Sequence, residues 1–107
     1  KTIHSFSDEL TTLDQIIRKM ILESLNAEKY LEEHINSTNY LLRVMKYKGP
    51  QISDIKLGLS THSDKNVVTI LYQKQVEGLQ VMTKDGKWIS YKPSPSNFVV
   101  IIGDYLH

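Results

Sequence analysis

The chain has 107 residues, 40% hydrophobic and 23% charged, with a net charge of +1 and no cysteine. That is the composition of one globular domain with a modest core. It excludes a disulfide framework and a thiolate zinc site, and it supplies no basic block for nucleic acid or a membrane surface.

The longest apolar run, Phe98 to Ile102, is far too short to span a bilayer. The cysteine-free composition fits a reducing, cytoplasmic setting. The opening "KTIHSFSDEL" is too polar for a signal peptide. It begins with lysine rather than methionine, and the other end, "FVVIIGDYLH", stops directly after a strand pattern. Both ends are therefore expected to be cuts in a longer protein.

The first third is expected to be helical. From Ser7, Leu10, Leu13, Ile17, Met20, Ile21 and Leu25 recur at steps of three and four, the spacing of one helix face. Ser7 is the expected N-cap, Asp8 and Glu9 suit the positive end of the helix dipole, and Asn26 is the expected terminator. "AEKYLEEHI" then offers a second, shorter helix, which "NST" ends. Glu32, Glu33 and His34 on that helix read as a solvated face, and His4 has no patterned partner.

From Asn39 the period becomes two. "YLLRVMKY" sets Leu41, Arg43, Met45 and Tyr47 on one face and Tyr40, Leu42, Val44 and Lys46 on the other. "KGPQ" interrupts this pattern, since proline lacks the donor that a central strand needs. "VVTILY" reads as a buried strand. "GLQVMTKDGKWISY" reads as a hairpin with Asp85-Gly86 as its two-residue turn and Trp88 as a packing residue. "FVVIIGD" is a further buried strand, with Asp104 as a turn residue bonding nearby backbone. Helices followed by turn-linked strands imply an α+β fold whose antiparallel sheet is a barrel or jelly-roll. The division expected is a helical segment over residues 1–38 and a partial barrel domain over residues 39–107.

One pair of side chains stands out. In a strand, His62 and Asp64 would project to the same face about 6–7 Å apart. An imidazole and a carboxylate so placed could share a borderline cation, either Fe(II) or zinc. By spacing alone, an ordinary polar turn before a strand is the favoured reading of the same two residues.

The wider context is more specific. "LGLSTHSDKNVVTILYQ" followed by "VEGLQVMTKDGKWISYKPSPSNFVVIIGDYL" resembles the plant-type Fe(II)/2-oxoglutarate-dependent dioxygenases. The shared order is His-x-Asp, a Thr-containing apolar strand, Gly-Leu-Gln-Val, a Gly-x-Trp hairpin and a strand ending in Gly-Asp. "THSDKN", "VEGLQV" and "TKDGKW" are most similar to the AOP group of that family. The resemblance implies a double-stranded β-helix in which His62 and Asp64 are the first two Fe(II) ligands and Tyr47 helps bind 2-oxoglutarate.

Met45 stands where the family pattern has asparagine. The resemblance places the third ligand, a histidine, about fifty-five residues beyond the first. His107 falls short of that position, and the Arg-x-Ser clamp for 2-oxoglutarate would follow it. Neither lies in this chain, so inactivity of the piece alone is expected. The implied partners are O2 and a small organic molecule to be hydroxylated or desaturated, with ascorbate as an additional cofactor. The competing readings are a non-catalytic remnant and a jelly-roll ligand-binding module without iron chemistry.

Overall fold

A computed structural model describes residues 1–47 and 58–106. The Lys-Gly-Pro-Gln interruption and His107 lie outside the described residues. The described elements are helices with small antiparallel sheets, an α+β composition. They fall into two compact units, Lys1–His62 and Ser63–His107.

The first unit is led by α1, Thr2–Ser24. The helix starts five residues before the expected Ser7, which therefore lies inside it, with its carbonyl accepting from Thr11 Oγ1. Ile3 and Phe6 extend the same three-four spacing backwards to Leu10, and nothing between them breaks a helix. Asp8 and Glu9 consequently sit beyond the first turn, which holds no acidic residue.

The C-terminus is as expected. Asn26 adopts φ 52°, the left-handed conformation that asparagine tolerates. Ala27 N–H donates to Leu22 O at 2.8 Å and Asn26 N–H to Glu23 O at 3.1 Å, the paired bonds of a Schellman motif. A 3-10 turn, Glu28–Tyr30, leads into α2, Leu31–Asn36. The Ser37 and Thr38 hydroxyls both return to the His34 carbonyl, at 3.1 and 2.7 Å, and this closes the helix.

The buried side chains here are polar. Asp14 and Arg18 are 6% and 5% exposed, and Arg18 Nε donates to Asp14 Oδ2 at 2.5 Å. Arg18 Nη1 lies 2.9 Å from His34 Nε2. Arginine can only donate, so the imidazole accepts. His34 is thus half-buried in a tertiary contact rather than on a solvated face, because α2 folds back to meet the second half of α1. Tyr40 joins the cluster. Its hydroxyl is pushed above its ordinary value of 10.0 by partial burial first, then by the Asp14 carboxylate beside it.

Residues 39–47 form no strand, although the alternation is real: both expected faces are exposed, Leu41 at 74% and Val44 at 87%. Alternation specifies which side chains share a face but not which neighbour completes the hydrogen-bond ladder. Among the described residues, none pairs with this segment.

The second unit contains four short strands in two sheets. β1, Val68–Leu71, pairs antiparallel with β4, Val99–Ile102, and β2, Gln80–Met82, with β3, Trp88–Ser90. β1 and β4 occur where expected, but they are not buried: no apolar side chain among the described residues is fully buried. A two-stranded ribbon has no second layer to cover its faces. The β1/β4 ribbon is extended by the Tyr72 and Phe98 rings, 5.5 Å apart and tilted at 45°.

The hairpin forms, with its turn one residue earlier than expected. Gly86 N–H donates to Thr83 O at 2.9 Å and Thr83 N–H to Lys87 O at 2.8 Å. The loop is therefore Lys84-Asp85-Gly86, with Gly86 at φ 82°. This is a type I turn closed by a left-handed glycine. Asp85 is held by the Lys87 ammonium at 2.7 Å and the Thr83 hydroxyl at 2.5 Å, and its carboxyl lies below its usual range for those reasons. Trp88 stands opposite Met82 in the register and is about half exposed.

Two outcomes test the polar cluster. Arg18→Met should destabilise the chain by about 3 kcal/mol by stranding Asp14, and Asp14→Leu added to it should recover most of the loss; denaturant titration measures both. Because folding raises the Tyr40 pKa, the stability it contributes is complete below pH 10 and lost as pH rises through the raised value. Melting temperatures should therefore fall more steeply above pH 10 in the wild type than in Tyr40→Phe.

Candidate metal centre

His62 and Asp64 lie on the segment that leads into β1, not on the strand itself, which begins at Val68. Backbone bonds position this lead-in. Asp104 N–H donates to Asp64 O at 2.8 Å, Gly103 N–H to Val67 O at 3.0 Å, and Tyr105 N–H to Asn66 O at 3.4 Å.

The Gly103-Asp104 pair is thus the support of the lead-in. Gly103 is buried, and a Cβ there would run into the Asn66 carbonyl and sit 2.6 Å from Asn66 Oδ1. The Asp104 carboxylate reaches well beyond its own turn. Its Oδ2 accepts from the Ser63 hydroxyl at 2.8 Å and the Lys65 ammonium at 2.7 Å, forty residues away in sequence. Short-range turn rules cannot anticipate a partner brought in by the β1/β4 pairing.

His62 is the last residue of the first unit and is exposed. Its Nδ1 lies 2.8 Å from Ser60 O. A carbonyl only accepts, so Nδ1 carries the proton, and in the neutral ring the lone pair lies on Nε2. A ligating histidine commonly has its tautomer set in this way.

Asp64 is half-buried. Its Oδ2 accepts from Thr69 Oγ1 at 2.7 Å, and Thr69 Oγ1 accepts from Asn66 Nδ2 at 2.7 Å. Strict alternation would put Asp64 and Thr69, five apart, on opposite faces. The bend at Asn66 and Val67 resets the phase and lets them meet. Sequence reasoning missed both Asn66 and Thr69 for this reason.

Tyr47 is 55% exposed. Its hydroxyl donates to Met45 Sδ at 3.6 Å, and its ring lies against Gly58, where a Cβ would be 2.7 Å from the ring edge. No group of three or more histidine, aspartate or glutamate side chains among the described residues converges as a metal cage. The donor chemistry of the two candidate ligands nevertheless suits Fe(II). One is an imidazole whose Nδ1 faces the Ser60 carbonyl, and the other is a carboxylate acting as hydrogen-bond acceptor. No helix among the described residues is long and apolar enough to cross a membrane.

Comparison with known proteins adds an independent finding. The 2OG-Fe(II) oxygenase superfamily matches residues 32–107. A probable 2-oxoglutarate-dependent dioxygenase AOP1 of Arabidopsis thaliana is 54% identical over 110 residues, covering 99% of this chain and 36% of that protein. A probable 2-oxoglutarate-dependent dioxygenase AOP1.2 of the same plant is 52% identical over 111 residues, covering 99% and 35%. A third Arabidopsis protein, a probable inactive 2-oxoglutarate-dependent dioxygenase AOP2, is 28% identical over 189 residues, covering 99% and 47%. The chain thus spans about a third of the length of the first two relatives. No solved structure matches it.

The support under the lead-in can be tested directly. Gly103→Ala should cost about 1–3 kcal/mol, the usual penalty for forcing a group into occupied space. It should also raise the exchange rate of the Gly103 and Asp104 amide protons, read by hydrogen exchange. Wild-type stability would show that Asn66 is free to move aside.

Proposed function

Since the chain belongs to the 2OG-Fe(II) oxygenase superfamily, we propose that it is the portion of a cytoplasmic Fe(II)/2-oxoglutarate-dependent dioxygenase that carries the first two iron ligands, His62 and Asp64. The carrying observation is the donor pair itself. Within the matched segment, one residue presents an imidazole whose proton is fixed on Nδ1, and the next but one presents a carboxylate held as an acceptor. When bound, iron supplies the coupling of 2-oxoglutarate decarboxylation, giving succinate and CO2, to oxidation of an organic molecule by O2.

In this reading the chain's own residues bind and orient. His62 and Asp64 bring a neutral nitrogen and an anionic oxygen, so together they cancel one of the cation's two positive charges. The Gly103-Asp104 support fixes the backbone from which Asp64 projects. Residues 39–107 belong, in this reading, to the family's partial barrel domain, and residues 1–38 to the helical segment that precedes it in sequence. Tyr47 contributes a hydroxyl to the 2-oxoglutarate pocket once released from Met45. Ascorbate serves as reductant. The substrate in this reading is a small plant molecule, hydroxylated or desaturated; the plant source and the dioxygenase names of the relatives support the general class of reaction.

A second reading is a metal-binding but non-catalytic relative. It is favoured by Met45, which stands where the family pattern has asparagine, and by the similarity to a protein named as probably inactive.

The test is anaerobic addition of Fe(II) and 2-oxoglutarate, followed by absorption. The wild-type chain should give a charge-transfer band that His62→Ala and Asp64→Ala weaken by about 10- to 100-fold in apparent iron affinity. Identical spectra for the three proteins would overturn the assignment.

A further inference from the structure

Asp64 is backed by a two-member relay of fixed polarity. The Asn66 Nδ2 group can only donate, so its bond occupies a lone pair of Thr69 Oγ1 and leaves the single hydroxyl proton for Asp64 Oδ2; both bonds are 2.7 Å. The two ends of the relay are anchored independently. Thr69 sits in β1 opposite Ile101, and its β-branched side chain has little χ1 freedom. Asn66 is held through its carbonyl by Tyr105 N–H at 3.4 Å and by the close approach of Gly103. A hydroxyl that is stiff at its own Cβ and pinned from behind restricts the rotation of the carboxylate it contacts.

We infer that Thr69 is the positioning residue for Asp64, its hydroxyl holding the carboxylate in the orientation that grips a divalent cation, with Asn66 holding the hydroxyl. The inference rests on the metal reading above and extends it to two residues that touch no metal. Its physical content is preorganisation. A carboxylate already confined to one orientation loses less rotational freedom on binding than one that turns freely, and such supporting bonds typically change metal affinity by about 10- to 100-fold. The competing account is that the Thr69–Asp64 bond only closes a turn. In that case its loss would lower the melting temperature and leave metal affinity alone.

The experiment is titration of the 107-residue chain with Mn(II), followed by paramagnetic broadening of backbone amide NMR signals around residues 60–70. Melting curves are recorded without metal. Thr69→Val, equal in shape but without the hydroxyl, should weaken Mn(II) binding by about 10- to 100-fold. Thr69→Ser, which restores the donor, should return affinity to within about threefold of wild type. A valine variant that melts earlier but binds Mn(II) like the wild type overturns the inference.

Should Thr69→Val fail to fold, Asn66→Ala probes the same relay with every backbone bond of the segment in place. Weakened Mn(II) binding supports the inference, and wild-type affinity overturns it. Site-specific broadening in the wild type that His62→Ala does not abolish would instead defeat the metal reading itself, and this inference with it.

Discussion

The close approach of Gly103 to Asn66 is the constraint on which the arrangement of the second unit depends. With no side chain at 103, the backbone after β4 can run against the backbone before β1, where three main-chain bonds join them. These bonds continue the β1/β4 pairing beyond its last ladder residues and onto the segment that holds Asp64. Asp104 then adds its carboxylate to Ser63 and Lys65. That surface ion pair is worth little on its own, but it grips the residues on either side of Asp64. Position 64 is therefore set by a contact forty residues away, through a glycine that contributes no atoms of its own to the site.

The helical unit follows a different principle. Its most buried side chains are Asp14 and Arg18, extended by His34 and Tyr40. A buried ion pair offsets its own desolvation only when the geometry is good and further hydrogen bonds satisfy both partners. Here the pair lies one turn apart on α1, and Arg18 reaches His34 of α2 with Nη1. This directional contact constrains where α2 lies against α1, something the apolar positions of the two helices, largely half-exposed, do less specifically. The cluster gives the unit a preferred arrangement rather than a large stabilisation.

The parts of the fold legible in the sequence were those governed by local chemistry. The spacing of Leu10, Leu13 and Ile17 gave the helix, Asn26 its end, and the glycine after Asp85 a hairpin. Errors arose where a second segment decides the outcome. The alternation in residues 39–47 could name two faces but could not provide a ladder partner. Val68–Leu71 had strand chemistry without a covering layer. His34 looked solvated until α2 turned back onto Arg18. For the candidate site, the motif around His62 and Asp64 pointed to the family that the comparisons found. The relay through Thr69 was hidden because a bend at Asn66 breaks the alternation by which strand neighbours are counted.

The order of pairing in the second unit carries a consequence for biosynthesis. The β2/β3 hairpin lies between β1 and β4 in sequence, and a hairpin of this kind zips up on the order of microseconds. Among the described residues β1 pairs only with β4, so the stretch bearing Asp64 lacks its backbone bonds to Gly103 and Asp104 throughout synthesis of the intervening hairpin. A nascent chain would thus hold this stretch without its closing backbone bonds for the seconds that translation needs, at about 5–20 residues per second. The backbone around Asp64 therefore takes its final place only once Gly103 emerges and its main-chain bonds can close.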